Sequence, residues 1–105
     1  MATVKDQVVL AGYVARLRFS TTSNGRSLLA FTLEMPYEEG KEGQYKGVRK
    51  IAVKLWGDLA EEFSALEEGA NVEVEGPIDT RNWKKPDNTW GNETSINARR
   101  LVVIE

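Results

Sequence analysis

Two tryptophans lie on strand-like segments beside positively charged side chains, a combination suited to stacking on flat rings and neutralising anions. In the stretch IAVKLW, Ile51, Val53 and Leu55 alternate as one apolar face, the period-two pattern of a half-buried strand. Lys54 and Trp56 therefore share the opposite face, which should meet water. An indole in that position needs a reason, because large aromatic side chains are usually buried.

The second tryptophan follows the same pattern on a later segment. Counting from Ile78 as an inward-facing residue, the strand period turns Asp79, Arg81, Trp83 and Lys85 outward. This indole is therefore flanked by a cation two residues away on each side. Two different segments thus combine an outward indole with positive charge.

An exposed strand face that carries tryptophan with lysine or arginine has the chemistry to bind single-stranded nucleic acid. Stacking on an indole tolerates any base and contributes about 1–3 kcal/mol per base. The cations neutralise phosphates and release counterions, whereas duplex DNA hides its base faces. The predicted nucleic-acid-binding residues are Trp56, Trp83, Lys54, Lys50, Arg81, Lys85, Lys84, Arg49, Trp90 and Tyr37.

Each aromatic residue also has a purely structural interpretation. Trp56 would then cover an adjacent helix, and Trp83 a neighbouring strand. Tyr37 and Tyr45 are weaker candidates, because tyrosines in loops are common and often have no role. Two tryptophans that share polar faces with cations, on different strands, favour binding over packing.

Charge is segregated along the chain, although the net charge is only −2. Residues 55–80 contain eight acidic residues and no lysine or arginine. The basic residues cluster elsewhere, as Arg16, Arg18 and Arg26, then Lys46, Arg49, Lys50 and Lys54, then Arg81, Lys84 and Lys85, then Arg99 and Arg100. This distribution predicts one acidic and one basic side, and a local positive field attracts an anionic ligand whatever the net charge. Ordinary solvated surface charge is the alternative.

The composition argues against several kinds of chemistry. The chain has no cysteine and no histidine, which excludes disulfides, thiol nucleophiles, Ser-His triads and the common zinc sites. A site made of carboxylates alone stays open, but the acidic residues show no pocket signal. We therefore expect no enzymatic activity and no cofactor. No apolar run approaches the ~20 residues of a membrane span, and MATVKDQ has no signal-peptide core, which predicts a cytoplasmic protein that does not engage a membrane.

The elements that would position these residues are short strands with one helix among them. Asn24-Gly25 is a strong hairpin signal, Pro36–Gly47 is expected to be a long polar loop, and Pro86–Gly91 another turn. Strands are predicted over residues 7–14, 27–35, 48–56 and 71–85, with the last strand supplied by residues 93–98 and 101–104, and a helix is predicted over 58–68. Three strands, a helix and two strands predict one all-β domain over residues 1–105, a five-stranded OB-fold Greek-key barrel with the helix between strands 3 and 4.

Three local features refine this prediction. The first strand, QVVLAGYV, is apolar on both faces, which predicts cover on two sides, within the domain or from a second subunit. The predicted helix carries an inward-facing apolar stripe of Leu59, Ala60, Phe63 and Leu66. Asp58 and Glu61 are placed to cap its N-terminus, and Gly69 is placed to end it. Gly76-Pro77 predicts a bulge or bend in the fourth strand.

The chain also resembles a known family. WGDLAE at the end of the third strand, GANVEVEG and TRNW, in this order and spacing, are similar to the bacterial single-stranded DNA-binding protein (SSB) family. The similarity extends from about Val4 to Glu105, and its most specific pieces carry Trp56 and Trp83.

The resemblance implies an OB-fold, a homo-oligomer (tetramer or dimer), and binding of single-stranded DNA in replication, recombination and repair. It places Trp56 at an aromatic stacking position of the family and Trp83 at the family's stacking tryptophan. The chain departs from the family at Lys50, which stands where a further tryptophan is common.

The family normally continues into a disordered linker with an acidic tip that recruits replication and repair proteins. The sequence stops at LVVIE without that tip, so it is either a trimmed piece or a tailless paralogue. The primosomal PriB proteins are similar tailless OB-folds that act in replication restart, and they are the alternative. In that case Trp56 and Trp83 would bind a replication partner or a neighbouring subunit.

Overall fold

A computed structural model describes residues 7–104 of the chain. Residues 1–6 and 105, which the predicted domain also includes, lie outside the described residues. The elements are β1 (Gln7–Thr21), β2 (Ser27–Glu39), a 3-10 turn (Lys41–Gly43), β3 (Tyr45–Trp56), α1 (Asp58–Glu62), β4 (Asn71–Lys84), β5 (Trp90–Asn97) and β6 (Arg100–Val103).

The strands close into a barrel. The sheet order is β1-β2-β3-β5-β4-β6, and β4 also pairs with β1, which closes the sheet. β5 and β6 are the two halves of the last predicted strand, interrupted at Ala98 and Arg99. β5 pairs with the outer half of β4, and β6 with its inner half. The five-stranded OB-fold prediction is confirmed.

The barrel interior is filled by the alternate residues that the sequence pattern turns inward. Ile51, Val53 and Leu55 all pack in or against the core, and Val53 and Leu55 are fully buried. The buried apolar residues are Val14, Leu29, Phe31, Leu33, Val53, Leu55, Ala60, Val72, Val74, Ile96, Ala98 and Leu101. Because strand side chains alternate in direction, this core leaves Lys54 and Trp56 on the outer surface.

The first strand is longer than predicted. β1 runs to Thr21 because it bends and changes partner, pairing with β4 through Tyr13 and with β2 from Tyr13 onward. The bend is a bulge between Ala15 and Arg18, where Arg16 adopts φ 54°. The Glu68 carboxylate accepts a hydrogen bond of 2.9 Å from the Leu17 N–H and so secures the bulge.

The expected polar loop over residues 36–47 is largely a strand ladder. β2 and β3 stay paired as far as Glu39 and Tyr45, which leaves only residues 40–44 as the tip. Opposite charges across the ladder, such as Lys46 and Glu38, support the pairing. Pro36 is tolerated because β2 has lost its pairing with β1 beyond Glu34.

The helix is shorter than predicted. α1 spans only Asp58–Glu62 and is followed by turns, although Ala60 is buried and Leu59, Phe63 and Leu66 pack against the core as the stripe predicted. The capping prediction was wrong. Gly57 is the N-cap residue, and the Glu61 carboxylate instead accepts a hydrogen bond of 2.7 Å from the Ser27 hydroxyl.

Gly76 allows two strand segments to approach each other closely. β4 passes through Gly76-Pro77, where a bulge or bend was predicted, as one continuous strand, and the break lies in its partner, between β5 and β6. A Cβ at Gly76 would overlap the Asn97 carbonyl oxygen and lie 2.9 Å from the Ala98 Cα. Glycine is therefore needed where β4 exchanges β6 for β5 as its neighbour.

Two hairpins extend beyond the barrel. The radius of gyration is 15.7 Å, larger than the ~13 Å expected of a compact domain of this length. The extensions are the ends of β2 and β3 and of β4 and β5, and residues 81–90 are exposed throughout. Among residues 7–104, no helix has the length and apolar character needed to cross a membrane.

Candidate nucleic-acid interface

Cross-strand register places Lys54 and Trp56 on the outer face of the barrel wall. Leu29, which pairs with Leu55, is buried with it, whereas Ala30 and Leu28 lie opposite Lys54 and Trp56 on the other face. The parity predicted from the sequence therefore holds for both residues. Their location on an outer face is observed, and their role in binding remains a prediction.

Trp56 is half-buried, and two contacts hold its ring, one at the indole nitrogen and one over the ring face. Its indole Nε1 donates a hydrogen bond of 3.3 Å to the Asn97 side-chain oxygen on β5. The Arg26 guanidinium lies 4.8 Å from the ring centroid, a cation–π contact. Trp56 is therefore held in a defined orientation on the surface.

A carboxylate lies between the two nearest cations. The same Glu93 oxygen is 3.8 Å from Lys54 Nζ and 3.7 Å from Arg81 Nη2. Glu93 reaches both because β5 lies between β3 and β4 in the sheet. The strands thus bring Lys54 of one predicted segment next to Arg81 of the other.

Trp83 lies two residues beyond Arg81 on the same face of β4, towards the tip of the β4–β5 hairpin. It pairs with Gly91 across the ladder, and a Cβ on that glycine would lie 2.9 Å both from the Trp83 ring and from Lys85 Cε. The ring and the lysine stem therefore lie over the bare backbone of β5. The indole is 43% exposed, which leaves much of its surface accessible.

Two open depressions meet at Lys54. One, of about 530 Å³, is lined by Arg16, Arg18 and Glu93 among others, and the second, of about 670 Å³, by Trp56, Arg81 and Arg99. Lys54 lines both, so the two depressions are adjacent on the outer face, and we treat them together as one surface. We call this the basic groove.

The structure separates four of the predicted residues from the basic groove. Lys84 and Trp90 pair on the opposite face of the β4–β5 hairpin, with Lys84 Nζ 6.0 Å from the Trp90 ring. Tyr37 and Arg49 are likewise on the opposite face of the β2–β3 hairpin, with the guanidinium 4.4 Å from the phenol ring. Each hairpin thus carries an aromatic–cation pair on its other side.

The remaining predicted residue, Lys50, shares the face of Lys54. It lies opposite Glu34, whose carboxylate is 3.9 Å from its ammonium group. This position extends the positive side chains of β3 from the basic groove along the β2–β3 hairpin. Lys50 therefore groups with Trp56, Lys54, Arg81, Trp83 and Lys85.

Four arginines line the basic groove but were not among the predicted site residues, although they belong to the basic clusters of the sequence: Arg16, Arg18, Arg26 and Arg99. Arg26 was recoverable from the hairpin signal, because a strand starting at Ser27 opposite the end of β3 brings Arg26 beside Trp56. Arg16 and Arg18 depend on the β1 bulge, which has no local sequence signal.

The tip of the β4–β5 hairpin is a compact turn. Asp87 accepts hydrogen bonds from the Thr89 hydroxyl at 2.6 Å and from the Thr89 N–H at 3.1 Å. The hydroxyl hydrogen bond, followed by the N–H, lowers the pKa of Asp87 below its ordinary value. Within residues 7–104, no three acidic side chains are grouped so that they could hold a metal ion.

Comparison with known proteins identifies the family. Residues 6–104 match the Single-strand binding protein family. The chain belongs to this family. The Single-stranded DNA-binding protein of Deinococcus radiodurans is 25% identical over 107 residues, a match that covers 99% of this chain and 36% of the relative. The chain thus spans about a third of the length of that family member.

Solved structures of the family share the fold. A deletion mutant of the single-stranded DNA binding protein from Thermus aquaticus superimposes with a TM-score of 0.78 and 28% identity, covering 96% of this chain and 51% of that one. The Plasmodium falciparum SSB, in complex with ssDNA, gives a TM-score of 0.83 at 16% identity, covering 98% of this chain and 97% of that one. The second likeness concerns the fold alone.

Proposed function

We propose that the protein binds single-stranded DNA without sequence preference, by stacking bases on indoles and pairing phosphates with cations. The observation that carries this proposal is the placement of Trp56 and Trp83 on one outer face with Lys54 and Arg81 between them. A binding surface for an unpaired strand needs these two components in alternation along its length.

Each component of the basic groove has a defined task in this mechanism. Bases stack on the accessible parts of Trp56 and Trp83, whose orientations are set by Asn97 and Gly91. Phosphates between these bases meet Lys54 and Arg81, and further phosphates meet Arg16, Arg18 and Arg99 along the groove walls. Stacking and phosphate pairing do not distinguish one base from another, so binding by these contacts tolerates any sequence.

The aromatic–cation pairs on the opposite faces of the two hairpins extend the path of the bound DNA strand. Trp90 with Lys84, and Tyr37 with Arg49, lie on the opposite faces of the two hairpins. A strand that leaves the basic groove at a hairpin can pass around its edge and stack there. These residues are secondary contacts in the proposal.

Family membership supports the same function. The Deinococcus and Thermus relatives are single-stranded DNA-binding proteins, and the Plasmodium relative is in complex with ssDNA. By this likeness we propose that the protein protects single strands during replication, recombination and repair in a bacterial nucleoid or an equivalent organelle compartment.

Tryptophan fluorescence tests the proposal directly. Stacking of bases on Trp56 and Trp83 should strongly quench the emission on titration with oligo(dT), and added salt should reverse the quenching as counterions compete for phosphates. Absence of quenching at low salt would contradict the proposal. A protein-binding role of the primosomal kind predicts instead a change on adding a replication partner and none on adding oligo(dT).

A further inference from the structure

Glu93 is a carboxylate that lines the basic groove beside Lys54. One of its oxygens lies within 4 Å of both Lys54 Nζ and Arg81 Nη2, at 3.8 and 3.7 Å. Both contacts are longer than a hydrogen bond, so they are loose ion pairs in partial contact with water. A phosphate that binds between the two indoles must compete with this carboxylate for both cations.

Alternative roles for Glu93 fit the geometry less well. The barrel does not need the charge for folding, because its side chain is 41% exposed and exposed ion pairs contribute little to stability. Asp79 also lines the second depression, but among the described residues it forms no ion pair with a lysine or arginine. Glu93 is therefore the acidic residue placed to oppose the bound strand.

We propose that Glu93 is an affinity-limiting residue, an internal competitor for phosphate that weakens DNA binding and reduces its salt dependence. This inference rests on the proposed function. With Glu93 ionised, Lys54 and Arg81 present a net charge of about one, whereas without it they present about two. Removal of the carboxylate should therefore allow roughly one more phosphate to be neutralised.

The chain contains a matched control on another face of the barrel. The Glu75 side chain is also 41% exposed, and one of its oxygens lies 3.9 Å from Arg100 Nη1. Glu75 is not among the residues that line the basic groove, and its cross-strand neighbours are Val9 of β1 and Arg100 of β6. Glu75→Gln therefore removes the same overall charge without altering the groove.

The test compares labelled oligo(dT) binding by the wild type, Glu93→Gln, Glu93→Asp and Glu75→Gln across a range of salt concentrations. We expect Glu93→Gln to bind roughly two- to tenfold more tightly at low salt. We also expect its plot of log affinity against log salt to be steeper by about 0.7. Glu75→Gln, which leaves the groove intact, should remain close to the wild type. Glu93→Asp, which keeps the charge on a shorter side chain, should bind between the wild type and Glu93→Gln.

Three results would overturn the inference. Unchanged or weaker oligo(dT) binding by Glu93→Gln would show that the carboxylate organises the cations instead of opposing the strand. Equal tightening by Glu75→Gln would assign the effect to net charge. In a parallel titration with oligo(dC), a selective loss of binding by Glu93→Gln would show that Glu93 accepts a hydrogen bond from the cytosine amine.

The same measurements distinguish failure of the proposed function from failure of the inference about Glu93. Failure of the wild type to bind oligo(dT) at low salt would contradict the proposed function and remove the basis of this inference. Wild-type binding without tightening by Glu93→Gln would contradict the inference about Glu93 alone. Thermal unfolding of each variant confirms that the comparison concerns folded protein.

Discussion

Trp83 is held on the surface by a glycine. Its ring lies over the backbone of Gly91, where a side chain would leave no room for it. This support orients the indole while keeping it accessible, so base stacking requires no rearrangement of the core. Trp56 is anchored more firmly, through Asn97 and Arg26, and is only partly accessible.

Trp83→Ala should weaken oligo(dT) binding by roughly 5- to 150-fold, corresponding to about 1–3 kcal/mol for one lost stacking platform. The melting temperature should change little, because the ring lies outside the core. Fluorescence anisotropy and thermal unfolding measure the two effects.

Trp90→Ala is the matched control for this variant. Trp90 is on the same hairpin and is 67% exposed, but it lies on the opposite face. We expect a smaller loss of affinity than for Trp83→Ala. Equal losses would mean that the strand uses both faces of the hairpin equally.

Arg81→Ala should reduce the slope of log affinity against log salt by about 0.7, because one phosphate contact is lost. Arg100→Ala is the control, since the two arginine side chains are similarly exposed, at 67% and 69%, and each lies near a glutamate. Equal changes in slope for the two variants would place the phosphate contacts outside the basic groove.

At the scale of elements, the groove depends on how β4 exchanges partners. Its inner half pairs with β1 and β6, and its outer half with β5 beside β3. The exchange at Gly76 is what brings Arg81 and Trp83 next to the β3 face. A change at this crossing should therefore affect both folding and the groove.

Gly76→Ala should destabilise the fold by about 1–3 kcal/mol, because its Cβ would overlap backbone atoms of Asn97 and Ala98, which cannot move aside easily. Urea unfolding measures the loss. Gly25→Ala is the comparison, since its Cβ would meet open space and only the φ of 84° opposes it. A smaller loss for Gly76→Ala than for Gly25→Ala would show that the strands can separate there.

At the scale of the whole molecule, the barrel presents chemically different sides. The basic groove extends over the outer face from β1 and β2 across β3 to β5 and β4, whereas α1 carries exposed Asp58, Glu61 and Glu62. This segregation explains how a chain with a net charge of −2 can attract a polyanion. The outer side of β1 is different again, with Val9 and Tyr13 exposed, and Val102 of β6 is exposed on the other side of β4.

The exposed apolar side of β1 predicts self-association, because β1 is apolar on both faces and the barrel covers only one of them. Tyr13→Glu should lower the molar mass measured by light scattering after size exclusion. Phe19→Glu is the control, since Phe19 is on the same strand and both rings are 46% exposed. A mass unchanged by Tyr13→Glu would exclude this side as the interface.

The sequence alone determined which residues share a face, because alternation along a strand is a local property. Lys54 with Trp56, and Arg81 with Trp83, lie where the period of two placed them, and the order of elements was enough to predict the barrel. The sequence also predicted which helix residues face inward, namely Leu59, Ala60, Phe63 and Leu66, but it did not predict the length of the helix.

Only the tertiary structure decided which of these faces meet. The meeting of Lys54 and Arg81 at Glu93, the contact of Arg26 with Trp56, and the separation of Trp90 from Trp83 depend on pairing between distant strands. The extension of β1, the long β2–β3 ladder and the exchange at Gly76 have the same origin. Cross-strand register arises from packing of the whole barrel, and no local pattern specifies it.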